Sequence, residues 1–335
     1  MTTTSSTPIV VDEGSAQIKV CWHDGKVIRQ LKIPSLVSRD SMDAVDGSGN
    51  FLPSSYQIGD RELYTKPTMS HPQPTKNADY QTSLNNRVLV HEALRQAGFG
   101  GKEVHVYCTL PVTQFFQGNR VNQALIEEKK KRLMGEISNM ASAPLARITR
   151  VNVSPESIPA WYHLLINEEG EVDQNLVAAQ SVMVVDIGGT TTDITLMDGN
   201  SQPRNAISLD IGVFDVSKNL CELIVQENIS RTVPAIHMDT ILRQKRYRNT
   251  DVSDLLRKAS LPVRDFILDK MKEFEIDPGA LDHIVYVGGG AALFGAELAA
   301  EYGNLAASHT PEQPDMAVAL GLLKSELVES QAEPA

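Results

Sequence analysis

The chain has 335 residues, of which 41% are hydrophobic and 22% charged, values typical of a globular protein large enough for two domains. Its formal net charge of −11 argues against direct, non-specific binding to nucleic acid, which needs a basic surface. Cys21, Cys108 and Cys221 are too far apart for a disulfide framework or a zinc site, so we expect a reducing cytoplasm. No apolar run approaches the roughly 20 residues that cross a bilayer, so we expect no membrane contact.

The first half of the chain predicts a sheet that opens with three consecutive strands. Met1–Pro8, rich in Ser and Thr, predicts a disordered lead-in and not a secretory signal. Asp24-Gly25 is a hairpin signal between the second and third strands, and residues 34–80 predict a surface subdomain of weak strands and loops. The predicted elements are strands 9–11, 18–22, 27–31, 103–109 and 148–153, and helices 86–97, 122–137 and one ending near Ile166.

The second half repeats this order after a polar, acidic stretch at residues 167–180. The predicted strands are 182–185, 194–197, 204–209 and 283–287, and the predicted helices are 213–226, 263–274, 291–302 and 314–327. Residues 227–260 are basic and predict no firm element. The repeat predicts a structural duplication, with lobe I at 9–180 plus about 318–335 and lobe II at 181–317.

The first strand runs into an acidic turn that contains glycine, Asp12-Glu13-Gly14-Ser15. Gly14 and Ser15 let the backbone approach a phosphate, and their N–H groups can donate to it. Asp12 is placed to meet a hydrated divalent cation, and Lys19 on the next strand can reach phosphate oxygens. An ordinary hairpin is the alternative, and these residues alone do not decide between the two.

A second turn of this kind lies about half a chain later, after the strand that ends at Asp186. Gly188 and Gly189 offer a bare backbone, Thr190 adds a hydroxyl, and Asp186 can bind Mg²⁺ through water. A glycine-rich connection without a ligand is the alternative, and it explains the carboxylate and the hydroxyl less well. Two such turns facing each other predict a clamp that holds a polyphosphate from both sides.

A glycine run after the strand 283–287 is the candidate contact for a nucleotide base. Gly288, Gly289, Gly290 and Ala291 open a helix, and a base and ribose can lie against such a backbone. The run lacks the spacing of the dinucleotide fingerprint. The run is a candidate for base binding because it follows the two phosphate turns in the chain.

Glu156 is the candidate for chemistry at a terminal phosphate. It lies in a turn fixed by Pro155 and Pro159, where a carboxylate can orient and polarise a water molecule. On residue type alone, an acid favoured by the dipole at a helix N-terminus is the stronger reading. The charged run from Glu127 to Arg132 predicts a solvated helix face.

In this order, the segments resemble the plasmid-segregation actins of the ParM/StbA family, within the actin/Hsp70/sugar-kinase superfamily. The resemblance runs from about residue 9 to 325. Besides the two turns and the glycine run, it is carried by Cys108-Thr109-Leu110-Pro111, the helix segment 126–130, the block 155–160 and Gly212-Val213. The Cys-Thr-Leu-Pro and Pro-Glu-Ser-Ile-Pro-Ala blocks are its specific motifs. Residues 35–80 and 227–260 do not match strongly, which leaves filament and adaptor contacts undefined.

The resemblance implies an α/β actin-like ATPase fold, with two duplicated RNase H-like lobes around a nucleotide cleft. It implies a cytoplasmic, filament-forming enzyme that hydrolyses ATP, with GTP as an alternative substrate, and that drives plasmid segregation by assembling and disassembling. In the family pattern Glu156 supports hydrolysis, while Asp12 and Asp186 organise Mg²⁺. The implied partners are other copies of the chain, head to tail, and a DNA-binding adaptor protein on a centromere-like plasmid site.

The superfamily pattern adds two weaker candidates and two rival functions. The helix after Gly212-Val213 borders the base, so Lys218 and Glu222, at i,i+4 spacing, could lie there, and a solvated ion pair explains them equally well. A small-molecule kinase of the sugar type would need a carboxylate base beside a sugar-sized pocket, and no clear sugar-binding signature is present. An Hsp70-like ATPase module is the other rival, although no appended peptide-binding domain is predicted.

Overall fold

The computed structural model describes residues 7–25, 27–65, 75, 79–118, 120–179, 181–198, 201–234, 238–274, 281–303 and 305–332, with side chains up to 328. The chain divides into two compact units. Unit 1 comprises Met1–Asp173 and Met316–Ala335, and unit 2 comprises Gln174–Asp315. The first strand begins at Thr7, so Thr7 and Pro8 belong to the sheet and not to the predicted lead-in.

Unit 1 is built on a five-stranded sheet in the order β10-β6-β1-β2-β3. Its strands are β1 (Thr7–Glu13), β2 (Gln17–Asp24), β3 (Val27–Pro34), β4 (Ser55–Ile58), β5 (Arg61–Tyr64), β6 (Glu103–Leu110), β7 (Phe116–Gln117), β8 (Arg120–Val121), β9 (Ser138–Asn139) and β10 (Arg147–Pro155). Its helices are α1 (Leu84–Gln96), α2 (Val112–Phe115), α3 (Gln123–Leu133), α4 (Ser157–Leu165) and α10 (Ala317–Ala332). The predicted hairpin at Asp24-Gly25 is present, and Gly25 has the left-handed φ of 65° that this turn requires.

Unit 2 repeats the plan with a sheet in the order β13-β12-β11-β16-β17. Its strands are β11 (Ser181–Ile187), β12 (Thr192–Asp198), β13 (Pro203–Leu209), β14 (Arg246–Tyr247), β15 (Thr250–Asp251), β16 (His283–Val287) and β17 (Ala307–His309). Its helices are α5 (Gln174–Val177), α6 (Val213–Gln226), α7 (Met238–Gln244), α8 (Ser253–Phe274) and α9 (Ala291–Tyr302).

The two sheets share one connectivity, which confirms the predicted duplication. In each, the first three strands pair antiparallel in sequence order, and two later strands add in parallel on the other side of the first. The first strand is therefore central and apolar in both units: Ile9, Val10 and Val11 are fully buried in β1, and Val184 and Val185 in β11. Strands buried on both faces read as continuous apolar runs, which is why the sequence located them.

Several predicted helix bounds were wrong. α3 ends at Leu133 and not at 137, because Met134 caps it and Gly135 follows. α8 begins at Ser253, ten residues before the predicted start at 263, because Leu256 and Ala259 extend its buried face into the basic segment. Residues 34–80 and 227–260 hold short hairpins, β4–β5 and β14–β15.

Within the described chain, no helix combines the length and apolar content that a membrane span requires.

The C-terminal helix α10 packs in unit 1. Met316, Ala319 and Leu323 form a buried cluster with Val10 of β1 and Cys21 of β2. Lys324, 7% exposed, donates to the carbonyl oxygens of His163 (3.2 Å) and Ile166 (2.7 Å) at the end of α4. The cation thus satisfies carbonyls that a helix C-terminus leaves without intrahelical partners.

We expect Lys324→Met to lower the free energy of unfolding by about 2 kcal/mol, because the methionine keeps the packing and leaves two buried carbonyls without a donor. Urea denaturation of the purified protein measures this. Lys272→Met, at a lysine whose side chain is 54% exposed, is the control and should change stability little. Equal effects of the two substitutions would contradict the capping role.

Candidate functional site

The candidate site residues of unit 1 lie at one edge of its sheet. β1, β6 and β10 run parallel, with Val11 opposite Cys108 and Thr109 opposite Ser154. Their carboxyl ends therefore meet at the same edge, and they end in Asp12-Glu13, Leu110 and Pro155. In open α/β sheets this is the edge where ligands bind.

The first predicted phosphate turn is held in place by its own carbonyl groups. Ser35 Oγ donates to the Gly14 carbonyl oxygen at 2.7 Å, and Thr75 Oγ1 donates to that of Ser15 at 2.6 Å. A Cβ atom on Gly14 would lie 2.8 Å from the carbonyl oxygen of Gln17, so the close turn requires glycine. The turn therefore has one defined backbone conformation.

Asp12 and Lys19 form an ion pair across the first hairpin. They are register partners of β1 and β2, and Lys19 Nζ lies 2.8 Å from Asp12 Oδ2. The two side chains are only 6% and 16% exposed. The structure thus brings together the predicted cation-binding carboxylate and the predicted phosphate-binding ammonium next to the turn.

A second ion pair, which the sequence pattern did not predict, lies beneath this turn. Lys129 of α3 lies 3.1 Å from Glu13 Oε1, and both side chains are fully buried. The prediction of a solvated face for the run from Glu127 to Arg132 is therefore wrong at Lys129. Ile126, Lys129 and Leu133 share the buried face of α3, and this i, i+3, i+7 spacing was the signal that the charge run concealed.

Two backbone contacts complete the surroundings of Glu13. The Thr109 N–H donates to Glu13 Oε2 at 3.4 Å, and Gln81 Nε2 donates to the Glu13 carbonyl oxygen at 3.3 Å. Lys129 Nζ also donates to Gln81 Oε1. Burial raises the pKa of the Glu13 carboxyl, and the charge of Lys129 opposes that rise.

Glu156 stands directly between β10 and α4. Its backbone N–H donates to the Leu110 carbonyl oxygen of β6 at 3.0 Å, which ties this position to the same sheet edge. The residue is the N-cap of α4, its side chain makes no capping hydrogen bond, and it is half-buried. This location fits both a carboxylate that activates water and an acid favoured by the helix dipole. The catalytic role of Glu156 therefore stays a prediction.

The second turn is bound to the helix that follows the sheet. The N–H groups of Val213 and Phe214, in the first turn of α6, donate to the carbonyl oxygens of Gly188 (3.1 Å) and Gly189 (2.8 Å). Thr190 is buried, and Asp186 is half-buried at the end of β11. The helix start thus fixes the shape of the turn.

Gly212 permits this contact. A Cβ atom there would lie 2.7 Å from the carbonyl oxygens of both Gly188 and Gly189. We expect Gly212→Ala to push α6 away from the turn and lower Tm by several degrees. Gly289→Ala is the matched control for stability, because a Cβ at that glycine meets nothing within 4 Å. Thermal denaturation that gives equal Tm values for both variants would contradict this account.

The glycine run contacts the second turn within unit 2. Asp186 and Val287 are register partners on β11 and β16, and the Gly290 N–H donates to the Ile187 carbonyl oxygen at 2.8 Å. Gly288 has φ of 81°, and a Cβ there would collide with the Asp186 carboxylate. Ala291, 3% exposed, then begins α9. The predicted base-binding backbone and the predicted Mg²⁺ carboxylate are therefore neighbours.

Lys218 and Glu222 lie on the exposed face of α6. In the described structure no ion pair joins their side chains, and a solvated pair stays the alternative. Their place next to a base stays a prediction.

The acidic residues of each unit suit a hydrated Mg²⁺ ion. Among the described residues, no three His, Cys, Asp or Glu side chains gather into a cluster that could hold a metal alone. Mg²⁺ commonly keeps several waters and is bound by one or two carboxylates together with substrate phosphates. Asp12 and Asp186, each beside a glycine turn of its own unit, supply carboxylates of that kind.

Protein-family models match both units of the chain. Residues 7–167 match the model of the N-terminal part of plasmid segregation protein ParM. Residues 184–300 match the model of the C-terminal part of the MreB-like archaeal actin homologue. The chain is thus similar to ParM in its first half and to an MreB-like actin homologue in its second. The ParM model spans all of the candidate residues of unit 1 up to Glu156 and Pro159.

Solved structures show that the chain has the actin-like fold. The archaeal actin homolog Ta0583 in complex with ADP has a TM-score of 0.73 and 19% identity, over 96% of this chain and 99% of that one. The apo ParM of pSK41 has a TM-score of 0.66 and 18% identity, over 99% and 100%. A ParM from a 15-stranded Clostridium botulinum filament has a TM-score of 0.68 and 17% identity, over 97% and 99%. No curated protein sequence matches the chain significantly.

Proposed function

We propose that this chain is an ATPase that assembles into filaments when it binds Mg-ATP and thereby moves plasmid copies apart. The observation that carries the proposal is the repeated arrangement of the two units. In each, a central strand ends in an acid and a fixed glycine turn, at the sheet edge where parallel strands end. The ParM family match and the ADP complex of the archaeal actin homolog support the same activity.

The binding roles follow from the chemistry of each segment. Backbone N–H groups at Gly14-Ser15 and at Gly188, Gly189 and Thr190 donate to phosphate oxygens, as glycine turns do in other nucleotide sites. Lys19 adds a positive charge, and Gly288 to Ala291 receive the base and ribose. That one nucleotide meets both turns is the prediction from the sequence.

Asp12 and Asp186 hold the hydrated cation. When bound, Mg²⁺ neutralises charge on the phosphates and orients them. The Asp12–Lys19 pair gives unit 1 a carboxylate whose position is already fixed before the cation arrives. Asp186 is fixed by its strand and by the glycine run against it.

Glu156 acts on the water that attacks the terminal phosphorus. Its carboxylate orients the water and accepts a proton as the new O–P bond forms and the bond to the ADP oxygen breaks. Loss of the terminal phosphate removes contacts that stabilise the assembled state, so hydrolysis leads to disassembly.

Filament assembly and DNA segregation need two kinds of partner. A head-to-tail contact between copies does not close on itself and therefore gives a filament. A basic adaptor protein on the plasmid connects the filament to DNA, because a chain with net charge −11 is poorly suited to bind DNA directly. These events take place in the cytoplasm, where the three free cysteines stay reduced.

Phosphate release from purified protein tests the enzymatic part. We expect hydrolysis of ATP that requires Mg²⁺ and needs no added sugar. Its rate per protein molecule should rise with protein concentration, because assembly does. GTP in place of ATP measures the nucleotide preference. Release of phosphate only in the presence of a sugar acceptor would favour a small-molecule kinase, and absence of any binding would contradict the proposal.

A further inference from the structure

The strand that leads into the first phosphate turn ends in two consecutive acids, and each has its own lysine. Asp12 pairs with Lys19 at 2.8 Å, and Glu13 pairs with Lys129 at 3.1 Å. All of these side chains are less than one fifth exposed. Two buried negative charges at this point would repel a polyphosphate, and two lysines cancel them.

The two pairs differ in what they can do for a nucleotide. Lys19 is partly exposed and its ammonium lies close to Gly14, so it can turn to a phosphate at this turn. Lys129 is fully buried and comes from α3, so it cannot reach a ligand outside the core. Its ammonium is bound to Glu13 and to Gln81. Its partners are therefore the residues that hold the turn.

We propose that Lys129 is a positioning residue of the nucleotide site: by neutralising Glu13 beneath the first phosphate turn, it keeps that turn able to accept anionic phosphates. The inference rests on the proposed function, because it concerns the same turn. It adds a residue that touches no nucleotide and that acts through charge and through Gln81.

Gln81 connects this buried pair to the backbone of the turn. Its amide oxygen accepts from Lys129, and its amide nitrogen donates to the carbonyl oxygen of Glu13 at 3.3 Å. The neighbouring Tyr80 hydroxyl donates to the Gly14 carbonyl oxygen at 3.5 Å. One segment therefore contacts both the ion pair and the turn.

Charge compensation makes opposite predictions for the two partners. Lys129→Met leaves an uncompensated negative charge under the turn, so we expect the Kd for Mg-ATP to rise at least about tenfold. Glu13→Gln leaves an uncompensated positive charge, so we expect the Kd to fall about threefold or more. The double variant Glu13→Gln/Lys129→Met restores neutrality, and its Kd should lie within about threefold of the wild type.

The experiment measures Mg-ATP binding at pH 7 by calorimetry, with hydrolysis rates and Tm for each variant. Lys130→Met is the matched control, because Lys130 is the next residue of α3 and pairs with Glu127 near the surface. It should change neither Kd nor kcat. In Lys129→Met we expect KM to rise with Kd while kcat changes less, since the substitution acts on binding.

A higher Kd for Mg-ATP in Lys129→Met together with a lower Kd in Glu13→Gln supports the proposal. If both single variants bind Mg-ATP more weakly, the pair has a structural role only and the proposal is wrong. If Lys129→Met does not fold, Glu13→Gln still decides, because unchanged or weaker binding in that variant overturns the proposal. A wild-type protein that binds no nucleotide would instead contradict the proposed function itself.

Discussion

Glu156→Gln should bind Mg-ATP with wild-type affinity and lose hydrolysis by about 100-fold or more. Glutamine keeps the size of the side chain and its place at the start of α4 but cannot accept a proton from water. General base catalysis commonly contributes a factor of 10² to 10⁴, so a loss of this size identifies the role. Phosphate release under saturating Mg-ATP, together with a binding isotherm, measures both quantities. We expect filaments of this variant to persist after assembly.

Glu168→Gln is the control for this result. Glu168 is exposed just after α4 and carries the same charge, so its substitution tests whether a general loss of negative charge slows hydrolysis. We expect wild-type turnover from it. Normal turnover in Glu156→Gln would remove that residue from catalysis and leave it as an acid that favours the helix N-terminus.

Asp186→Asn should abolish the effect of Mg²⁺ on nucleotide binding. The carboxylate lies at the end of β11, opposite Val287 and against Gly288, so its position is set by two strands and the glycine run. An amide binds hydrated Mg²⁺ weakly, because it lacks the charge that this hard cation prefers. We expect ATP affinity in the presence of Mg²⁺ to fall by at least about tenfold, to the level measured in EDTA.

Asp254→Asn serves as the matched control, since the side chain of Asp254 is 88% exposed at the start of α8 in the same unit. Its Mg-ATP affinity should equal that of the wild type. Unchanged affinity in Asp186→Asn would count against the assignment of the second turn to a cation. An equal loss of Mg-ATP affinity in both variants would indicate an effect of overall negative charge and not of a cation site at Asp186.

Local patterns predicted the duplicated fold because each central strand is a continuous apolar run. β1 and β11 were located this way, and α6 has the predicted bounds of Val213–Gln226. The parallel register that brings Glu13, Thr109 and Pro155 to one edge depends on pairing between strands far apart in sequence. The sequence order of the motifs indicated this meeting point only through the family resemblance.

The buried Lys129 shows where local patterns failed. Its charged neighbours predicted a solvated face, whereas a partner 116 positions earlier, Glu13, stabilises it in the core. The spacing of Ile126, Lys129 and Leu133 marks the buried face of α3, but the partner that stabilises a buried lysine comes from a tertiary contact. The contact between Gly212 and the second turn is of the same kind, since it depends on how the start of α6 packs against the turn that follows β11.

Electron microscopy of the purified wild-type protein, with and without Mg-ATP, tests the central claim most directly. The account predicts filaments in Mg-ATP that are absent without nucleotide and that disappear as ATP is consumed, with a matching rise and fall in light scattering. A protein that stays monomeric in saturating Mg-ATP would contradict it.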